Sequence, residues 1–274
     1  MARAKKVKIG IVGCGAIGSR MAKSVQAELK GTCRLTAIYD IDKAKALDLS
    51  KNMRLKGIVK NSAGELIKSC DFMIEAVSAQ NTRSLIQSAL KAKKNVLSMS
   101  VGKILNAAAL FNLAHKNNCH LLIPSGAIAG IDAVKGARLA GIDTITLTTR
   151  KPLTGFAGNP YLIKKKINLA KIRRETVLFD GPVADAVRYF PQNINVAATL
   201  ALASGCLRKL RVRILTSPHF TANTHEITLN GPFGRITTRT ENVACPDNPK
   251  TSYLAVLSGL QTLKQYTSGI FIGT

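Results

Sequence analysis

The sequence predicts an α/β protein in two parts: an N-terminal Rossmann-type, doubly wound parallel sheet and a C-terminal α+β catalytic domain with a largely antiparallel sheet. Three observations lead there. Strand and helix patterns alternate as far as Pro124, a GxGxxG string joins the first strand to the first helix, and beyond Pro124 strands separated by turn signals take over.

Residues 8–12 are a short β-branched run ending in glycines, and 19–30 show helical spacing until Gly31 stops it. Residues 34–39 make the next strand, 43–51 a helix, 58–60 a short strand and 64–68 a short helix. Strand patterns at 72–77 and 96–99 enclose a helix at 82–93, and a helix at 107–115 leads to a strand at 121–123. Parallel neighbours need connections of about a dozen residues, which these helices supply as right-handed crossovers. The expected first domain is residues 1–125.

The expected second domain, residues 126–249, carries substrate binding, catalysis and dimerisation. It opens with a Gly/Ala-rich stretch, SGAIAGIDAVKGARLAG, that leads into a strand at 144–149. Further strands fall at 175–179, 210–216, 226–230 and 234–240, and the last two flank Gly231-Pro232-Phe233, a hairpin signal. Asn195 reads as the N-cap of an apolar helix that Gly205 stops. A closing helix at 252–266, apolar at Leu254, Val256, Leu257, Leu260 and Leu263, lies in the segment 250–274 that is expected to pack back on the first domain.

Hydrophobic residues are 46% and charged residues 20% of the 274, ordinary globular usage that excludes a disordered or collagen-like chain. No window approaches the ~18–20 uncharged apolar residues of a spanning helix. The basic start, MARAKKVKIG, runs straight into a strand, so the reading is a cytoplasmic protein with no membrane partner. Six cysteines, at 14, 33, 70, 119, 206 and 245, form no CxxC pair; they read as small buried hydrophobes, and no metal site is expected. The net charge of +25 raises nucleic acid as a partner. The basic residues are spread out, however, and the densest clusters, Lys164-Lys165-Lys166 and Arg208-Lys209-Arg211-Arg213, lack interleaved aromatics. No specific nucleic-acid partner is expected; a positive field that draws in an anionic substrate is the other reading.

Gly13-Cys14-Gly15-Ala16-Ile17-Gly18 lies between a strand and a helix, and Asp40 closes the second strand 22 residues after Gly18. Gly13 permits the tight turn, Gly15 lets backbone amides approach a pyrophosphate, and Gly18 lets helix and strand pack closely. The helix start around Ala16 and Ile17 offers N–H groups and a positive dipole end to the phosphates, and Asp40 can accept both ribose hydroxyls of an adenosine. NAD is the expected cofactor because Asp40 would repel a 2′-phosphate. Lys43 and Lys45, close by in sequence, leave NADP open.

Several strings then occur together in order: GCGAIG, IEAVSAQ (74–80), LSMSVGK (97–103), PSGAIAGID (124–132), ITLTTRKP (145–152), FPQNINVAATLALA (190–203) and NTHEI (223–227). Through nearly the whole chain they resemble the L-aspartate dehydrogenase family. The resemblance implies a Rossmann domain with an α/β catalytic domain, and reversible NAD(P)-dependent deamination of L-aspartate to iminoaspartate or oxaloacetate, often in the service of NAD biosynthesis. It assigns the active-site histidine to His225, and nicotinamide-nucleotide contacts to Ala127 and Asn193. Lys103 after SVG departs from the small or apolar residue expected there.

Oxidising an amino acid moves a hydride from Cα while the amine loses a proton, so a group titrating near neutrality is expected beside it. His115 ends a lysine-rich helix and His120 precedes a strand, positions that suit solvated or capping roles. His219 and His225 stand level on residue grounds, and the resemblance selects His225, whose alternate neighbours Ile227 and Leu229 would share its sheet face. HEITL is not HExxH, so a zinc-protease reading fails. The alternatives are another Rossmann oxidoreductase acting on a small acid, of homoserine or dihydrodipicolinate type, or a non-catalytic nucleotide-binding protein with nucleic-acid affinity. A sheet face without helices invites a second copy, so a homodimer is expected.

Overall fold

The computed structural model describes residues 6–77, 81–191, 194–246 and 248–273. The chain divides into two compact units, Met1–Pro124 with Val256–Phe271, and Ser125–Ala255 with Ile272–Thr274.

The first unit runs β1 (Val7–Val12), α1 (Ala16–Ala27), β2 (Cys33–Tyr39), α2 (Lys43–Asn52), α3 (Ala63–Lys68), β3 (Phe72–Glu75), α4 (Thr82–Lys91), β4 (Asn95–Ser98), α5 (Ala108–Lys116) and β5 (Leu121–Leu122). Its five strands are parallel in the order β2-β1-β3-β4-β5. The order reverses between β1 and β3, the switch point at whose carboxyl ends a doubly wound sheet takes its ligand. Helices cover both faces, so the strands are continuous apolar runs: Ile9, Ile11, Phe72, Met73, Ile74, Val96 and Leu97 are all fully buried. Asp42 and Ser62 cap α2 and α3 through the amides of Ala44 and Glu65. Residues 58–60 do not form the expected strand. Only a bridge from Val59 to Ile38 is made, because the Ser62 cap of α3 follows almost at once.

The second unit contains α6 (Ile131–Ala140), β6 (Thr144–Pro152), α7 (Pro160–Lys164), β7 (Thr176–Pro182), α8 (Val183–Tyr189), α9 (Asn195–Ser204), β8 (Leu210–Ser217), β9 (Asn223–Gly231) and β10 (Gly234–Asn242). A two-stranded ribbon follows, β11 (Ala244–Cys245) with β12 (Asn248–Ser252). The main sheet has the order β10-β9-β6-β8-β7; β6 and β8 are parallel and the other three pairs antiparallel. One face carries the core, with Ile145 and Leu147 of β6, Leu210, Val212 and Ile214 of β8, and Ile227 and Leu229 of β9 buried. The opposite face is charged: Arg150 pairs with Glu226 and Glu175 at 3.4 and 3.5 Å, and Arg211 and Arg213 pair with Asp180 at 2.5 and 3.4 Å. Asn195 is the first helical residue of α9 and not its cap. Helical backbone already begins at Ile194, which leaves Asn195 outside capping geometry, whereas Gly205 does end the helix in the left-handed region (φ +67°).

The last helix, α10 (Tyr253–Ser268), begins at Tyr253, one residue after the expected start, because Ser252 is still paired with Ala244 in the ribbon. It packs on the first sheet, with the Tyr266 ring 5.0 Å from that of Phe72. Gly259 sets the approach, since a Cβ there would lie 2.8 Å from the Met99 thioether. Among the described residues no helix is long and apolar enough to cross a membrane.

Candidate active site

The glycine turn leaves β1 at Gly13, whose φ of +98° and whose distance of 2.5 Å from a built Cβ to the Ala76 carbonyl admit glycine alone. A Cβ on Gly18 would collide with the Gly13 carbonyl at 1.7 Å, so the start of α1 rests directly on the turn. Around Gly15, by contrast, a Cβ would meet nothing within 4 Å. Gly15 caps α1 without a side-chain hydrogen bond, and no acidic residue occupies the first turn, so the amides around Ala16 and Ile17 face that open space. At the end of β2 the Asp40 carboxylate is fixed by two backbone donors, Cys14 N to Oδ2 (2.7 Å) and Asp42 N to Oδ1 (2.9 Å). Open space, an uncapped helix start and an oriented acid fit the pyrophosphate and ribose of a dinucleotide. Burial and the Asp40 charge push the Cys14 thiol up to about 12, so it stays protonated beneath the turn.

Sequence reasoning passed over Glu75, the last residue of β3, which is fully buried at the same sheet end. Its carboxyl receives Ser98 Oγ (2.8 Å) and Val77 N (3.0 Å). Ser100 Oγ lies 2.8 Å from Glu75 Oε1 and 2.5 Å from the Val77 carbonyl. Ser100 N adds a further donor to Oε2 (3.3 Å), so Ser98, Ser100 and Val77 all donate to the carboxyl. Burial pushes the Glu75 carboxyl upward, and these donors draw it part of the way back.

In the second unit His225 sits inside β9, directly opposite Thr149 of β6 and Thr240 of β10. It is 3% exposed, and its Nδ1 lies 3.0 Å from Thr149 Oγ1. Burial, and next to it the charge of Lys151, push His225 down to about 3, so the imidazole is neutral at pH 7. The expectation of a histidine titrating near neutrality is therefore corrected. Lys151 is the group in that range, pushed down to about 8 by its own burial. The same face of β10 clamps the Gly/Ala-rich segment: Thr238 donates to the Ala129 carbonyl (3.1 Å), and Thr240 and Asn242 donate to that of Ala127 (2.9 and 3.1 Å). Ala127 and His225, 98 residues apart, thus meet through Thr240.

Asn193 lies outside the described residues. His115, His120 and His219 are exposed, and Lys103 ends a short 3-10 turn whose carbonyl accepts from Arg83 (2.6 Å). Among the described residues no group of three His, Cys, Asp or Glu side chains gathers as a metal site. Lys151 could have been found from period-2 spacing, since it continues Ile145, Leu147 and Thr149 along the inward face of β6.

Residues 132–266 match the family described as aspartate dehydrogenase, C-terminal, and residues 13–124 match the NAD binding domain of homoserine dehydrogenase. The L-aspartate dehydrogenase of Methanosarcina barkeri is 42% identical over 273 residues, 98% of this chain and 100% of that protein. This chain belongs to the L-aspartate dehydrogenase family. Its relatives include the L-aspartate dehydrogenases of Methanosarcina mazei, 41% identical, and Methanococcus maripaludis, 39% identical, each spanning 98% of this chain and 100% of the relative. The aspartate dehydrogenase of Thermotoga maritima has a solved structure of the same fold, with a TM-score of 0.71 at 22% identity over 98% of this chain and 100% of that one. A hyperthermophilic archaeal homoserine dehydrogenase in complex with NADPH follows at 0.62 and 14%, over 98% and 99% of the two chains. The aspartate dehydrogenase family and the NAD binding domain together support a nicotinamide cofactor for the first unit.

Proposed function

We propose that this chain oxidises L-aspartate with NAD to iminoaspartate, which hydrolyses to oxaloacetate, and that the reaction is reversible. The observation that carries the reading is the neutral His225 on a buried sheet face, hydrogen-bonded to Thr149, in a chain of this family. Gly13, Gly15, Ala16, Ile17 and Gly18 hold the pyrophosphate and Asp40 the adenosine ribose, while Ala127 and Asn193 keep the nicotinamide-nucleotide contacts that the resemblance gives them. The nicotinamide, when bound, supplies the acceptor for the Cα hydride. With Nδ1–H donating to Thr149, His225 keeps a lone pair on Nε2 toward the amine or the water that attacks the imine, and the negative charge a dicarboxylate substrate brings beside it raises its basicity from the value that burial sets, so that it can take the proton. Oxidation of L-aspartate by the purified chain, followed as NADH absorbance, tests the reading; no NADH formation at any substrate concentration refutes it.

NAD is preferred to NADP on this reading because both Asp40 oxygens are pinned by backbone amides where a 2′-phosphate would lie. The two lysines that left the choice open are engaged elsewhere, Lys43 Nζ with Asn61 (3.1 Å) and Lys45 Nζ with Asp42 (3.4 Å). Asp40→Ala should weaken NADH by at least about tenfold, and NADPH much less, in fluorescence titrations, since charge-assisted bonds contribute about 1.5–3 kcal/mol. A homodimer, formed through the second unit, completes the reading; sedimentation equilibrium measures it.

A further inference from the structure

The apolar run of β3 ends on an acid. Phe72, Met73 and Ile74 are fully buried, and Glu75 after them is buried to the same degree. A carboxyl in that place costs free energy unless donors surround it, and they do. The last ladder bonds at this end of the sheet run from Ala76 N to the Val12 carbonyl and from Met99 N to the Glu75 carbonyl, both 2.9 Å. One residue further out, Val77 N donates to Oε1 (3.0 Å) and Ser100 N to Oε2 (3.3 Å). Each oxygen also receives a hydroxyl at 2.8 Å, from Ser100 at Oε1 and from Ser98 at Oε2. A single side chain thus ties the exit of β3 to the exit of β4.

Those two exits border the dinucleotide crevice. The glycine turn and α1 follow β1, Asp40 follows β2 on one side of it, and β3 and β4 lie on the other side of the switch point. A dinucleotide spans such a switch with one nucleotide over each half of the sheet, so with the adenosine ribose at Asp40 the second nucleotide lies over the ends of β3 and β4. The exit of β3 also abuts the glycine turn, since a Cβ on Gly13 would stand 2.5 Å from the Ala76 carbonyl and 3.0 Å from Val77 Cγ1. Resting on the proposed use of a nicotinamide cofactor, we propose that Glu75 is a positioning residue for the nicotinamide half, acting through the backbone of Val77 and Ser100. A glutamine could not take over this task. Whichever oxygen its NH2 replaced, that group would face a backbone N–H, of Val77 at one position and of Ser100 at the other, and a backbone amide cannot turn to accept as a hydroxyl can.

The test titrates the full chain with NADH, by fluorescence, and with ADP, which carries only the adenosine and the pyrophosphate, by calorimetry. Glu75→Gln should weaken NADH at least about tenfold and ADP by less than about threefold, because the floor under the second nucleotide shifts while the glycine turn and Asp40 stay in place. In the same variant kcat for aspartate should fall, since hydride transfer needs the ring held in position. Ser100→Ala removes one hydroxyl and leaves the Ser100 amide on the carboxyl, so it should weaken NADH by about threefold or more with ADP unchanged. It decides the matter if Glu75→Gln does not fold. A purely structural role for Glu75 would lower the melting temperature and weaken both ligands alike. Equal losses for NADH and ADP, or wild-type NADH affinity in folded Glu75→Gln or in Ser100→Ala, would overturn the proposal. A wild type in which the two ligands separate as described, yet which never oxidises aspartate, would sink the aspartate reading and leave the positioning role standing.

Discussion

His225 is held near a pKa of 3 against an ordinary 6.5, so between those two values the unfolded chain binds a proton that the folded chain refuses. Stability from this residue is therefore complete above about pH 6.5 and is lost as pH falls toward 3, at up to about 1.4 kcal/mol per pH unit. His225→Ala should flatten the pH dependence of denaturant unfolding across that window and lower kcat by about 10² or more, with circular dichroism unchanged. Unaltered turnover in the variant would remove His225 from the chemistry. That the histidine belongs to NTHEI was legible in the sequence. Its hydrogen bond to Thr149, 76 residues away, was not, because cross-strand pairing has no local signal. Lys151 was missed for a related reason: Arg150-Lys151-Pro152 reads as a polar exit from a strand, and only pairing with β8 carries β6 through to Pro152.

At the level of elements, the turn between β1 and α1 separates two roles that a glycine motif usually merges. Gly18→Ala places a methyl 1.7 Å from a backbone oxygen, which cannot move aside, and should unfold the first unit or cost several kcal/mol of stability by urea titration. Gly15→Ala meets nothing within 4 Å and keeps an ordinary φ of −69°, so stability should change by about 1 kcal/mol or less. Its methyl would still stand where the pyrophosphate must come, and NADH affinity should fall at least about tenfold. A Gly15→Ala chain that binds NADH as the wild type does would contradict the placement of the phosphates. The parallel half was readable almost strand by strand, because its periodicity and glycines are local signals. The helix Ile131–Ala140 was not: Gly136 lowers its intrinsic propensity, the flanking Gly130 and Gly141 read as loop, and burial of Val134 and Ala137 overrides both.

Over the whole molecule the charge of +25 is a property of the surface, and it bears on encounter rates and not on the fold. If the substrate is a dicarboxylate, raising ionic strength from about 10 mM to about 300 mM shrinks the screening length from roughly 30 Å to well under 10 Å. kcat/KM for aspartate should drop several-fold over that range, measured with a neutral salt, while kcat stays near constant. The two-part α/β architecture was legible from the alternation before Pro124 and the hairpin signals after it. The split of the second sheet into an apolar face and an arginine-carboxylate face emerges only once strands far apart in sequence are paired.

The buried carboxyl of Glu75 reaches beyond its own strand. Burial holds it above the ordinary carboxylate range, so between the unfolded and folded values the folded chain keeps a proton that the unfolded chain releases. What Glu75 adds to stability is therefore complete in acid and fades as pH rises through the folded value, at the very sheet end that carries the glycine turn.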